Sequence, residues 1–131
     1  MMNSVNETKA DRYQTGLDLF QQLHGQHAGQ QLVDELKDIC PDFGDMTIEW
    51  AMGGIMARPG LDLLTREFLL IASCTTLGHA APQLEAHIEA ARKVGASKEQ
   101  IIEVILQMLF YAGGVSTSNA LRVAKKVFDN E

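Results

Sequence analysis

Glu67 and His87 each interrupt a run of apolar residues that recurs at helical spacing. Along 63–77, Leu63, Leu64, Leu70, Ile71 and Cys74 share one face, and Glu67 falls in the middle of it. Along 82–94, Leu84, Ile88, Ala91 and Val94 form a stripe that contains His87. Burying an unpaired charge is expensive, so Glu67 must have a partner, face a pocket or carry a raised pKa. A carboxylate and an imidazole on two inward stripes are the parts of a general acid–base site. Each also has a plain structural reading: Glu67 as an ion pair to a neighbouring helix or subunit, His87 as a hydrogen-bonded core histidine.

Arg58, Arg66 and Arg122 are the candidates for holding an anionic substrate, because a guanidinium grips a carboxylate in bidentate fashion. Surface solvation is the ordinary account of such arginines. Ser116, Thr117, Ser118 and Asn119 open a helix after two glycines and offer N–H groups to a carboxylate, although simple capping explains them as well. His79 lies between the two helices, where it reaches the same pocket or stays solvated, and His24 and His27 read as surface. Cys74 sits in an apolar run without a basic neighbour, so it reads as packing rather than as a nucleophile. With Cys40 as the other cysteine, neither a zinc site nor a disulfide framework is signalled.

The elements that must position these residues are helices. Gly and Pro concentrate at 25–29, 41–44, 53–60, 78–82, 95 and 113–114, and no strand alternation appears between them. The pattern predicts a helix over 7–24 with Tyr13, Leu17 and Phe20 on one side. A second over 30–39 carries Leu32, Leu36 and Ile39. A third runs from Pro41 to about Met56, its last turn weakened by Gly53 and Gly54. Asp62 is placed to cap the helix that ends at Gly78, and Pro82 suits the first turn of the helix that stops at Gly95. Ser97 and Gln100 make a capping box for 98–112, and Ser116 or Thr117 starts the last helix, with Leu121, Ala124 and Phe128 inward. Helix 98–112 is apolar around nearly its whole circumference, which points to packing between subunits or to a central helix inside a monomer.

The chain of 131 residues suits a single domain, 1–131, with 46% apolar and 21% charged residues, the balance of a globular protein. A net charge of -6 and an isoelectric point near 5.1 argue against nucleic-acid binding. The start, MMNSVNETKADR, lacks the pattern of a secretory signal, and 101–115 is too short to span a bilayer. A cytoplasmic protein without membrane partners is expected.

From Phe43 to Phe128 the chain resembles the carboxymuconolactone decarboxylase family. The likeness rests on ArgProGlyLeuAsp at 58–62, ThrArgGlu at 65–67, LeuGluAlaHisIle at 84–88, GlyAlaSerLysGluGlnIleIleGlu at 95–103, and TyrAlaGly followed by SerAsnAlaLeu within 111–121. The resemblance implies an all-α, alkylhydroperoxidase D-like subunit of about six to seven helices. Residues 1–40 add amino-terminal helices to a family core at 43–128, and subunits assemble into a homo-oligomer, a trimer or hexamer. It also implies a cofactor-independent decarboxylase acting on an anionic, 4-carboxymuconolactone-like lactone acid in aromatic-compound catabolism. In that reading His87 and Glu67 are catalytic, and Arg58, His79, Arg66 and Ser116 bind substrate. Related alkylhydroperoxidase-like proteins place a Cys-x-x-Cys pair where this chain has Ala80 and Gln83, so a disulfide-cycling peroxidase is disfavoured. Two other readings stand beside the lyase: a non-catalytic helical oligomer that binds a small ligand or partner, and a redox protein using Cys74 or Cys40.

Overall fold

A computed structural model describes residues 7–131, so part of the amino-terminal segment read for a secretory signal lies outside the described residues. Among them the elements are α1 (Lys9–His24), α2 (Ala28–Leu36), α3 (Pro41–Met46), a π-helix (Thr47–Met56), α4 (Leu63–Leu77), α5 (Ala81–Lys93), α6 (Lys98–Gln107) and α7 (Leu109–Asp129). The expected all-helical class is what is found, with no strand among the described residues. Among the described residues no helix is long and apolar enough to cross a membrane. The chain forms two compact units, one ending at Asp62 and the other spanning Leu63–Glu131.

In the first unit, α1 opens on a capping box in which Thr8 and Asp11 satisfy each other's backbone N–H groups. Those hydrogen bonds from Thr8 hold the Asp11 carboxyl below the usual aspartate range. The stripe Tyr13, Leu17 and Phe20 is only half-buried, and the inward face is Gly16, Leu19 and Leu23. Gly16 decides the rotation, because α1 crosses the π-helix at backbone contact. A Cβ on Gly16 would lie 1.9 Å from the Ile48 carbonyl oxygen, and one on Gly53 would lie 2.0 Å from that of Arg12. Beside the crossing, Arg12 Nε donates to Glu49 Oε1 at 2.6 Å. The helix expected over 30–39 ends at Leu36, with Ile39 exposed. The helix expected from Pro41 to Met56 keeps α geometry only to Met46, then widens to a π pitch that ends with the Ala57 N–H bonded to the Met52 carbonyl.

In the second unit, α4 packs against α5, α6 and α7 and so forms its centre. Ile71, Leu84, Ile88, Ala91, Ile101 and Ile105 are the main contributors to its core, closed by Ala120, Ala124 and Val127 of α7. Gly78, with φ of 78°, ends α4 in a conformation that L side chains rarely adopt. Pro82 lies in the first turn of α5, and the Ser97–Gln100 capping box starts α6 as expected. The helix expected over 98–112 is interrupted at Met108, so α6 ends at Gln107 and α7 begins at Leu109. A second break follows within α7 at Gly113, where φ is 81° and ψ is 173°. The central-helix-in-a-monomer alternative fails on exposure: Ile101 and Ile105 are buried, but Leu106, Leu109 and Phe110 are exposed. Beyond Gly113 the inward residues are Thr117, Ala120, Ala124 and Val127, with Leu121 and Phe128 half-buried at the margin.

Candidate active site

About a third of the way along α4, Glu67 lies on the apolar stripe that Ile71 anchors, and its side chain is fully buried. On α5, Leu84 and Ile88 are drawn into the same core, and the helical repeat brings His87 in beside them. The two side chains meet directly: His87 Nδ1 lies 2.8 Å from Glu67 Oε1. The imidazole keeps 21% of its side-chain surface exposed while the carboxylate keeps none. Glu67 Oε2 has no hydrogen-bond partner among the described residues.

An ionised carboxylate can only accept, so it pairs with a His87 ring that carries a proton on Nδ1. A buried carboxylate beside a partly exposed imidazole is an arrangement that can perform general acid–base chemistry.

Cys74, two turns beyond Glu67 on α4, is half-buried. Burial pushes its thiol above the usual range, and the Glu67 charge adds to the effect. Both influences favour the neutral thiol, which agrees with the reading of Cys74 as packing rather than as a nucleophile.

Of the other expected site residues, Ser116 lies on α7 against the Gly78 turn, where a Cβ on Gly78 would come 3.0 Å from its Oγ. Ser116 borders a cavity of about 40 Å³ between α4, α5 and α7, which neither Glu67 nor His87 lines. His79 is exposed in the turn between α4 and α5. Arg66 is half-buried and adjoins Glu67 in sequence, but successive helical residues point about 100° apart, so the two leave α4 in different directions. Arg58 belongs to the first unit, just past the π-helix. Arg122 is exposed, and its Nη1 donates to Asn119 Oδ1 at 2.9 Å. The structure thus joins Glu67 to His87 and sets Ser116 apart at the cavity. Thr75 also borders the cavity and was not expected; its hydroxyl donates to the Ile71 carbonyl at 2.8 Å, which lets a polar residue sit buried with no sequence signal beyond its place on α4.

Comparison with known proteins bears on this geometry. The chain is 31% identical over 117 residues to 4-carboxymuconolactone decarboxylase of Acinetobacter baylyi, covering 89% of this chain and 87% of the relative. It is 34% identical over 107 residues to an uncharacterised 15.0 kDa protein of the nqo9–nqo10 intergenic region of Paracoccus denitrificans, covering 81% and 78%. The sequence profile of the carboxymuconolactone decarboxylase family matches residues 41–126, a span that contains both Glu67 and His87. With the profile spanning more than half of the chain and a relative aligned along most of its length, the protein belongs to the carboxymuconolactone decarboxylase family.

Proposed function

We propose that the protein is a cofactor-independent carbon–carbon lyase that decarboxylates a 4-carboxymuconolactone-like lactone acid in the breakdown of aromatic compounds. The observation that carries this reading is the 2.8 Å contact between a fully buried Glu67 and a partly exposed His87 in a chain of this family. The name of the Acinetobacter relative supplies the substrate class.

The chemistry asks little of a protein beyond placement. The bond between the ring carbon and the carboxylate breaks and carbon dioxide leaves. The electron pair delocalises through the ring alkene onto the lactone oxygen, giving a dienolate that is protonated at carbon. The lactone is itself the electron sink, so the reaction needs no added cofactor. His87, as the imidazolium with both ring nitrogens protonated, supplies the proton to carbon and regains one from water, while Glu67 accepts from Nδ1–H, steadies that cation and fixes the direction of the ring. An arginine anchors the substrate carboxylate, and substituting Arg58, Arg66 and Arg122 in turn would identify which one.

The active form is a homo-oligomer in this proposal. Its support is the run of exposed apolar side chains, Leu106, Leu109, Phe110, Tyr111 and Val115, in the second unit.

The direct test is loss of the lactone absorbance, with carbon dioxide release, upon adding purified protein to 4-carboxymuconolactone. Turnover that disappears in His87→Ala supports the proposal. A wild-type protein that binds the lactone without turning it over leaves the non-catalytic oligomer as the better account.

A further inference from the structure

The cavity between α4, α5 and α7 has no role in the proton-transfer step, but its lining suits one end of a ligand. It opens to solvent past Gly78, Ala81 and Asn119, all exposed, so a molecule larger than its inner 40 Å³ can enter in part. Ala80, Ala81, Leu84, Ala120 and Val123 give it apolar walls, and Ser116 and Asn119 bring hydrogen-bond donors. The Ser116 hydroxyl makes no hydrogen bond among the described residues. A Cβ on Gly78 would come 3.0 Å from that Oγ, so a glycine there leaves the hydroxyl clear. Asn119 Oδ1 accepts from Arg122 Nη1 at 2.9 Å, which turns the two Nδ2 protons of Asn119 toward other acceptors. Arg122 supplies a positive charge beside the opening. Its guanidinium is held by two neutral groups, Asn119 Oδ1 and Ser118 Oγ, and forms no ion pair among the described residues. Arg12 and Arg92, by contrast, are each committed to a glutamate.

These features describe the guest. The donors call for an acceptor, the unpaired guanidinium for a negative charge, and the apolar walls for carbon next to that charge. A small organic carboxylate meets all three. The charge of Glu67 is felt at the Cys74 thiol and opposes an anion, so neutral donors alone would hold one poorly and Arg122 is needed to offset it. Register along α5 ties the cavity to the reacting pair: Leu84 precedes His87 by three residues, about 4.5 Å along the axis. A carboxylate held there leaves the rest of a ring-sized molecule one turn from the proposed acid. The proposed substrate, 4-carboxymuconolactone, has two carboxylates, of which the reaction removes one. Hydrogen bonds and a cation stabilise a carboxylate more than the neutral carbon dioxide it would become, so such a clamp opposes loss of the group it holds. It therefore fits the carboxylate that stays.

We propose that Ser116, Asn119 and Arg122 form the subsite for the carboxylate that the product retains, with Ala81 and Val123 against the carbon beside it. The identity of the ligand as a lactone acid rests on the decarboxylase reading, whereas the preference for a small organic carboxylate rests on the cavity and Arg122. The test is a titration of the protein with levulinate, a stable five-carbon keto acid, followed by the methyl resonances of Ala81 and Val123. Methyl levulinate, of similar shape but uncharged, is the control. The expected result is a saturable shift with levulinate and none with the ester. The Kd should rise at least about tenfold in Arg122→Gln, which removes the cation, and in Asn119→Asp, which sets a like charge at the opening. Both positions are exposed, so neither variant disturbs the core. With the lactone as substrate, Arg122→Gln should raise KM about tenfold and change kcat far less. No saturable shift, equal shifts with acid and ester, or a Kd unchanged in both variants would each overturn the subsite. Lactone turnover without the levulinate shifts would overturn the subsite and leave the decarboxylase reading standing. Levulinate bound at these residues by a protein that fails to turn over the lactone would disprove the decarboxylase reading and leave the carboxylate subsite in place.

Discussion

Glu67 and His87 were legible in the sequence because each breaks an apolar stripe, and a polar group on such a stripe needs a partner. Their 2.8 Å contact answers that need for one carboxylate oxygen. If His87 is the acid, His87→Ala should lower kcat by about 10²–10⁴-fold, the range of a lost general acid, with the helical circular dichroism unchanged. Glu67→Gln keeps the shape and should lower the rate less, on the order of tenfold to a hundredfold, as for other residues that orient an imidazole. Equal losses in the two variants would mean that Glu67 does more than orient. Cys74 offers a second readout of the same charge. Its raised pKa leaves little thiolate at neutral pH, so iodoacetamide should label it more slowly than the exposed Cys40. Burial, the larger cause of the raised pKa, remains in Glu67→Gln, but the variant removes the added Glu67 charge and should speed that labelling modestly. The substrate-binding residues were less legible, because an arginine or a serine on a helix reads the same whether it meets solvent or a carboxylate.

At the scale of elements, the sequence announced helices wherever a cap or a glycine stop has a local cause, as at Ser97–Gln100 and Gly78. It misled where the cause is tertiary. Glycine adds nothing to an apolar periodicity, so the true inner face of α1, centred on Gly16, lay hidden beneath the Tyr13–Leu17–Phe20 stripe. The widening to π pitch after Met46 and the break at Met108 likewise leave no composition signature. The Gly16–Gly53 crossing makes a firm expectation: Gly16→Ala or Gly53→Ala should destabilise the protein by at least about 3 kcal/mol in chemical denaturation, since each new Cβ would overlap backbone rather than a mobile side-chain end. The start of α1 has its own pH dependence. A depressed Asp11 pKa stabilises the folded chain above the ordinary aspartate range, and that contribution is lost as pH falls through the depressed value. Thr8→Ala removes the hydroxyl but keeps the residue 8 N–H on the Asp11 carboxylate, the larger of the two causes, and should move the Asp11 titration, followed by NMR, only part of the way back up.

For the whole molecule, the exposed apolar run on either side of Gly113 is the feature that a solitary chain leaves unexplained. Tyr111 is 97% and Phe110 79% exposed, and this apolar surface is what supports the proposed assembly. Replacing both with aspartate removes no intrachain packing of consequence. Sedimentation should then show a smaller species than the wild type, still helical; an unchanged sedimentation coefficient would remove this surface from the proposed assembly. The family match and the physical subdivision also begin at different places. The profile starts at residue 41, yet residues 41–62 fold with α1 and α2, which lie outside it. A gene trimmed to the matched region would encode every residue of the Glu67–His87 pair. Its product would nonetheless lose the helix that covers Ile48, Met52 and Gly53, and we expect it to collect in inclusion bodies: the stretch shared across the family depends for its solubility on a stretch the profile does not include.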